Sequence, residues 1–292
     1  LAKKNKNSEM DEILRARLSL DDSAHLKLKL IKYAMYGFDT LNRVFTDQSF
    51  FALRETEAML VKLNSKKGGD LVKTLLAQNG GTQITAHGID NIPATGPVII
   101  AATHPIGTFD FIAHAGPLLQ HRPDLKVVAN REAERFLGAD AIIAVDLDKH
   151  HRALSARATQ LGILAHLAEG GAVLIFGSGR VPHMENGLLV EPPWRQGTTR
   201  TSQASGAPVV PASADMRNSR HYFRTRKLAR FFSGGNEDLA AKVGSLRYAS
   251  ELFAKLGGKY DVYYGPAQPP GAKAEDLKEL AEALVPGLYV PD

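Results

Sequence analysis

The chain has 292 residues, 44% of them hydrophobic and 23% charged, a composition typical of soluble globular proteins and a length that suits one large domain or one domain with an appendage. It contains no cysteine, which excludes thiolate nucleophiles and Cys-based zinc sites and fits a reducing compartment. No apolar run nears the length needed to cross a bilayer, and the opening LAKKNKNSEMDE has no apolar segment, so no signal peptide is predicted. The formal net charge of +5 permits an anionic partner: nucleic acid, a phospholipid surface or coenzyme A.

The first 80 residues read as helical. Apolar positions at helical spacing run through Leu26, Leu28, Leu30, Ile31, Ala34, Met35, Phe38, Leu41 and Phe45. Further helices are expected over Phe50–Leu63 and from Gly69 to Gln78, and Gly80-Gly81 punctuates the chain. The mixed charges of this region predict packing against a core rather than docking on a membrane.

Beyond Gly81 short β-rich runs alternate with helices. Strands are expected at Gln83–Gly88, Val98–Thr103, Leu125–Ala129, Ile142–Asp146, Ala172–Phe176, Val209–Ser213 and Tyr260–Tyr264. Helices are expected near Phe109–Leu119, His150–Ala168, Arg195–Ser205, Leu239–Leu256 and Ala274–Leu284. Continuous apolar runs such as PVIIAA and AVLIF are what a sheet buried on both faces requires. The alternation predicts an α/β fold with a mixed, largely parallel sheet flanked by helices. The expected division is an N-terminal helical region over 1–80 and an α/β domain over 81–292.

Between Arg217 and Asn236 there is no acidic residue, while Arg217, Arg220, Arg224, Arg226, Lys227 and Arg230 alternate with Tyr222, Phe223, Leu228, Phe231 and Phe232. Such a basic amphipathic helix fits anionic lipid or polyphosphate, and equally a solvated face. With no recognition motif beside it, nucleic acid is not an expected partner.

The segment HPIGTFD is the most informative. A buried strand ends at Thr103, His104 follows, Pro105 and Gly107 shape a turn, and Asp110 falls in the first turn of the next helix. Reacting groups of open α/β sheets gather outside the carboxyl ends of strands. A carboxylate six positions on can reach back to one imidazole nitrogen and leave the other free as a base. Spacing alone equally allows Asp110 to act only as a helix cap. Other candidates carry less. Asp146, Asp148, His150 and His151 offer metal-ligand types, but adjacent histidines diverge on a helix, and a capped helix start is the preferred reading. His166 and His183 read as core or surface residues, His114 has no assigned role, and Trp194 is expected to pack a loop onto the core. No metal site is predicted, and no G-x-S-x-G elbow supports a serine nucleophile.

HPIGTFD resembles the glycerolipid (1-acylglycerol-3-phosphate type) acyltransferase superfamily. It is closest to the haemolysin-like and ornithine-lipid branch, whose HP-x-G-x-x-D pattern is matched at His104, Pro105, Gly107 and Asp110. The lead-in GIDNIPATGPVIIAATHP, then LKVVANREAERF, AIIAVDLD, AVLIFGSGRV and GAPVVPASADMRNSRHYF resemble the family's later blocks in order, over about two-thirds of the chain. Leu147 replaces the Arg of the family's Ile-Asp-Arg strand end. Gly177 and Ser178 stand where the Phe-Pro-Glu-Gly block has Pro and Glu.

The resemblance implies transfer of a fatty acyl group from acyl-CoA or acyl-carrier protein to a hydroxyl or amine of a lipid-like or amino-acid-derived acceptor. No bound cofactor is implied. His104 would be the general base and Asp110 its orienting partner, with Gly177, Ser178, Gly179, Arg180 and Arg217 holding the acceptor or an anion. The departures leave a lysophosphatidate acceptor unsupported. Residues 217–230 could meet an anionic membrane, so the expected location is cytoplasmic, with peripheral contact on the inner face of the membrane. The rival classes are a hydrolase activating water with the same His–Asp pair, and a non-catalytic lipid-binding relative.

Overall fold

A computed structural model describes residues 9–18, 20–63, 65–145 and 152–291. Four helices precede the first strand: α1 (Glu9–Leu18), α2 (His25–Thr46), α3 (Leu53–Leu63) and α4 (Gly68–Leu76). The first three share a small core of Met10, Leu14, Leu28 and Leu53. By contrast, Leu71, Val72 and Leu75 of α4 join the main core of the sheet. The expected apolar stripe of α2 is helical but largely unburied. Of its residues only Leu28 is buried, while Leu26, Leu30, Phe38, Leu41 and Phe45 are exposed. The packing against the core expected of this helical region comes from Leu63 of α3 and from α4, not from this stripe. Only one edge of α2 meets α1 and α3.

The remaining chain builds β1 (Gln83–His87), β2 (Val98–Ala102), α5 (Thr108–His121), β3 (Lys126–Asn130), α6 (Glu134–Leu137), β4 (Ile142–Val145), α7 (Arg152–Ala168) and β5 (Ala172–Phe176). It continues through β6 (His183–Glu185), β7 (Leu188–Val190), α8 (Gly197–Ser205), β8 (Val209–Ala214), α9 (Arg220–Phe232), α10 (Glu237–Ser245), α11 (Tyr248–Lys255), β9 (Lys259–Tyr264) and α12 (Ala274–Ala283). Seven strands form one sheet in the order β1-β9-β8-β2-β5-β3-β4. The pairs are parallel except β8 with β9. This is the mixed, largely parallel α/β architecture that the strand pattern predicts.

The central strand β2 is buried along its whole length. Val98, Ile100 and Ala102 face the core formed with α4 and α5. Ile99 and Ala101 face the opposite core, with Ile163 and Leu167 of α7 and Leu277 of α12. Alternation across a doubly covered strand explains why the sequence there reads as one continuous apolar run.

One expectation changes in detail. The helix expected over Leu239–Leu256 is two helices, α10 and α11, broken at Leu246 and Arg247, whose side chain is buried and carries a cation over the Phe50 ring at 4.8 Å. The antiparallel hairpin β6-β7 was not expected. The acidic and histidine cluster at Asp146, Asp148, His150 and His151 lies outside the described residues.

Candidate active site at the end of the central strand

Strand β2 ends between two parallel neighbours, β8 and β5. The chain leaves β2 for β3 on one side of it and later adds β8 on the other, which opens a crevice beyond its carboxyl end. His104 sits there, two residues past Ala102. Thr103 and Ser213, at the ends of β2 and β8, share a buried hydroxyl–hydroxyl hydrogen bond of 2.9 Å, which ties the two strands where the site begins.

The turn after His104 is shaped by Asp110, whose side chain is fully buried. Its Oδ2 accepts the backbone N–H of Ile106 at 2.9 Å and of Gly107 at 2.8 Å. Gly107 has φ 108°, a conformation that favours glycine, and a Cβ there would lie 3.1 Å from the Tyr248 ring. From the other side Asn218 Nδ2 donates to the carbonyls of Pro105 and Ile106, both at 3.2 Å. The same Asp110 Oδ2 lies 2.8 Å from His104 Nδ1, although this contact is not aligned as a hydrogen bond. Asp110 therefore both caps the turn and adjoins the imidazole, so the two readings of the sequence coexist.

The imidazole stacks on Phe176, with ring centroids 4.3 Å apart. His114 is fully buried behind it, its Nδ1 3.2 Å from the Tyr264 hydroxyl. Burial, and then the nearby His104, push His114 down to about 3, which keeps it neutral and makes it a core residue.

His104, with a side chain 18% exposed, lines a cavity of about 1560 Å³. Phe111, Ile112, Phe136, Phe176, Leu252 and Phe253 give that cavity apolar walls, and Met10, Met35 and Met59 extend them into the N-terminal helices. Arg131, Arg157, Arg180, Arg195 and Arg200 also line it, against one acidic lining residue among the described residues, Glu134.

The sequence-predicted acceptor residues separate. Gly177, Gly179 and Arg180 line the cavity beside His104, whereas the Ser178 side chain turns inward and is 2% exposed. In this turn the N–H groups of Gly177, Gly179 and Arg180 already donate to Ala102 O, Phe176 O and Ser178 Oγ. An anion cradle of backbone amides would have to replace those bonds. The Arg180 side chain projects outward, paired with Asp238 at 3.1 Å. Arg217 is exposed and lies outside the cavity lining, while its neighbour Asn218 reaches the turn after His104. Trp194 packs a loop onto the core, as expected, with its ring against Gly177.

No protein-family model matches the chain, and no curated protein does. Among solved structures it is similar to the crystal structure of the 1-acyl-sn-glycerophosphate (LPA) acyltransferase PlsC from Thermotoga maritima. The two share 14% sequence identity, with a TM-score of 0.45, over 85% of this chain and 87% of that one.

Proposed function

We propose that the chain is an acyltransferase of the glycerolipid type, moving a fatty acyl group from acyl-CoA or acyl-carrier protein to a hydroxyl or amine of a lipid-like or amino-acid-derived acceptor. The observation that carries this reading is the position of His104, 2.8 Å from buried Asp110 and on the wall of a large cavity with apolar sides and several arginines. An acyl chain needs apolar walls, and a phosphate-bearing carrier is drawn by positive charge.

In the mechanism, His104 takes the proton of the acceptor through the nitrogen not turned to Asp110, and the Asp110 carboxylate stabilises the imidazolium that results. The acceptor oxygen or nitrogen attacks the thioester carbonyl, the tetrahedral intermediate collapses, and the thiolate leaves, taking the proton from His104. No acyl-enzyme is needed, in keeping with the absence of cysteine. The haemolysin-like and ornithine-lipid branch remains the preferred subfamily on its HP-x-G-x-x-D spacing.

The test is to incubate the protein with labelled acyl-CoA or acyl-carrier protein, with and without lysophospholipid and amino-acid-derived acceptors. Ester or amide product that depends on acceptor and on His104 supports the reading. Free fatty acid released equally without acceptor would make the protein a hydrolase, and no turnover of any thioester would overturn both.

We also propose that the protein meets an anionic membrane through α9. Arg220, Arg224, Lys227 and Arg230 are exposed there beside exposed Leu228, Phe231 and Phe232. Arg226 leaves the basic set, because it is buried and donates to the carbonyls of Val181 and Pro182. Among the described residues no helix is long and apolar enough to cross a membrane. Peripheral contact on the inner face of a cytoplasmic membrane is the location this reading implies.

A further inference from the structure

A second buried carboxylate is linked to His104 through a chain of packed residues. Glu191 directly follows β7 and precedes Pro192-Pro193. It is 3% exposed. Its Oε1 accepts a hydrogen bond from Trp194 Nε1 at 3.2 Å, while its Oε2 is buried with no hydrogen-bond partner among the described residues. The Trp194 ring lies so close to Gly177 that a Cβ there would be 2.1 Å from Cδ2. Gly177 follows Phe176, the residue on which the His104 ring stacks. A continuous line of contacts thus runs from Glu191 through Trp194, Gly177 and Phe176 to the imidazole.

Ser178 adds a second link. Its hydroxyl donates to Arg180 O at 2.9 Å and also lies within reach of the Glu191 carboxylate, whose ionised form it favours. One hydroxyl proton serves one of these acceptors at a time. The charge on Glu191 is therefore tied to the turn that lines the cavity.

The charged and titratable neighbours of Glu191 come from three elements. His104 faces it from beyond β2, Glu282 from α12 and Tyr289 from the C-terminal segment. Burial pushes Glu191 up to about 7; Ser178, His104 and Trp194 act against that, and Glu282 acts with it. Glu282 is itself paired with Lys278 at 2.8 Å. Burial, and then Glu191, push the Tyr289 phenol well up, so it stays neutral.

We infer that Glu191 is a positioning residue for His104: its buried carboxyl group braces the Trp194–Gly177–Phe176 support beneath the imidazole and is coupled to the ring it supports. Asp110 touches the ring; Glu191 acts through its packing and its field. The catalytic consequence rests on the reading of His104 as the base. The coupling itself is a property of the folded protein and is measured without substrate.

The experiment is carboxyl NMR on protein labelled with 13C at glutamate Cδ, followed against pH. The Glu191 resonance is assigned by its absence in Glu191→Asp, and independently in Glu191→Gln should the first variant fold poorly. In the wild type it is expected to titrate near 7. In His104→Gln, which removes a neighbour that acts against the upward shift of Glu191, the inflection should rise by roughly half a unit or more. Ser178→Ala should move it the same way. An inflection in the ordinary carboxylate range, or one that His104→Gln leaves in place, overturns the inference. A wild-type protein that transfers no acyl group would defeat the acyltransferase reading and leave this titration unaffected.

Discussion

The side-chain amide of Asn218 holds the carbonyl of Ile106 at 3.2 Å, and the same nitrogen holds that of Pro105 at 3.2 Å. Asn218 is buried, and so are the groups it binds. The turn that carries His104 is therefore clamped from two sides, by Asp110 on its amides and by Asn218 on its carbonyls. Replacing Asn218 with Ala strands both carbonyls, each a cost of about 1–3 kcal/mol when buried without a partner. The expected outcome is a lower melting temperature and a fall in kcat that exceeds any rise in KM, because the proposed base, His104, is displaced while the cavity is unchanged. Thermal unfolding and steady-state kinetics on the same preparation check it.

His104 and Asp110 should separate stability from chemistry. His104→Ala removes a partly exposed ring and leaves the turn's hydrogen bonds in place, so transfer should fall by about 10²–10⁴-fold with little change in melting temperature. Asp110→Ala removes the acceptor of the Ile106 and Gly107 amides, so it should lose activity and also several degrees of stability. Equal destabilisation by the two variants would contradict this division of labour.

Which of these features the sequence could disclose depends on how local they are. Strand β2 was legible because both of its faces are buried, and an uninterrupted PVIIAA can hardly be anything else. His104 and Asp110 were legible because the site is built within seven consecutive residues. The β6-β7 hairpin carries a local signal in Asn186-Gly187, both with positive φ, the preferred two-residue hairpin turn. Its three-residue strands were too short to register by alternation. The role of Glu191 had no local signal, since a Glu before two prolines reads as a solvated loop residue. Its meaning depends on Trp194 folding over a glycine more than a dozen positions upstream. Arg217 was picked out by charge, but burial selected Asn218, its neutral neighbour.

Gly177 should tolerate no side chain while Trp194 is present. A Cβ at 2.1 Å from a buried indole forces a displacement of the ring or the turn, and overpacking of this kind costs about 1–3 kcal/mol or more. Gly177→Ala is expected to lower stability and to disturb the Phe176 ring under His104. In a Trp194→Ala background the same change should cost much less, which a double-mutant cycle measures as a coupling of about 1 kcal/mol or more. Additive effects would mean the ring can move aside freely.

Two buried groups predict opposite pH dependences of stability. Burial first pushes Glu191 up to about 7 from 4.5, so between those values the folded state holds a proton that the unfolded state has lost. Stability from this group therefore falls as pH rises from about 4.5 to 7, by up to roughly 3 kcal/mol, and is level above. His114, pushed down to about 3 from 6.5, does the reverse: the unfolded state takes the proton first, and stability falls as pH drops through that window. Urea unfolding at pH 5 and pH 8 should show the two partly cancelling in the wild type. Glu191→Gln should expose a steeper acid loss, and His114→Gln should remove it. Parallel profiles for all three proteins would refute the assignment of these shifts.

Membrane binding through α9, as proposed, would combine two terms that respond differently to salt. Arg220, Arg224 and Lys227 are attracted to an anionic surface by about 1 kcal/mol each, and that attraction is screened within a Debye length of about 8 Å at physiological ionic strength. Phe231 and Phe232, 78% and 81% exposed, contribute an apolar term that salt does not weaken. Sedimentation with vesicles containing phosphatidylglycerol should therefore show binding that declines with salt to a floor. Charge reversal at Arg224 and Lys227 should remove the salt-dependent part, and Phe231→Ser with Phe232→Ser should lower the floor. Leu41→Ser with Phe45→Ser, on the exposed stripe of α2, tests whether that helix adds to the same floor. Absence of binding to anionic vesicles at low ionic strength would refute the membrane proposal and direct the acceptor search to soluble molecules.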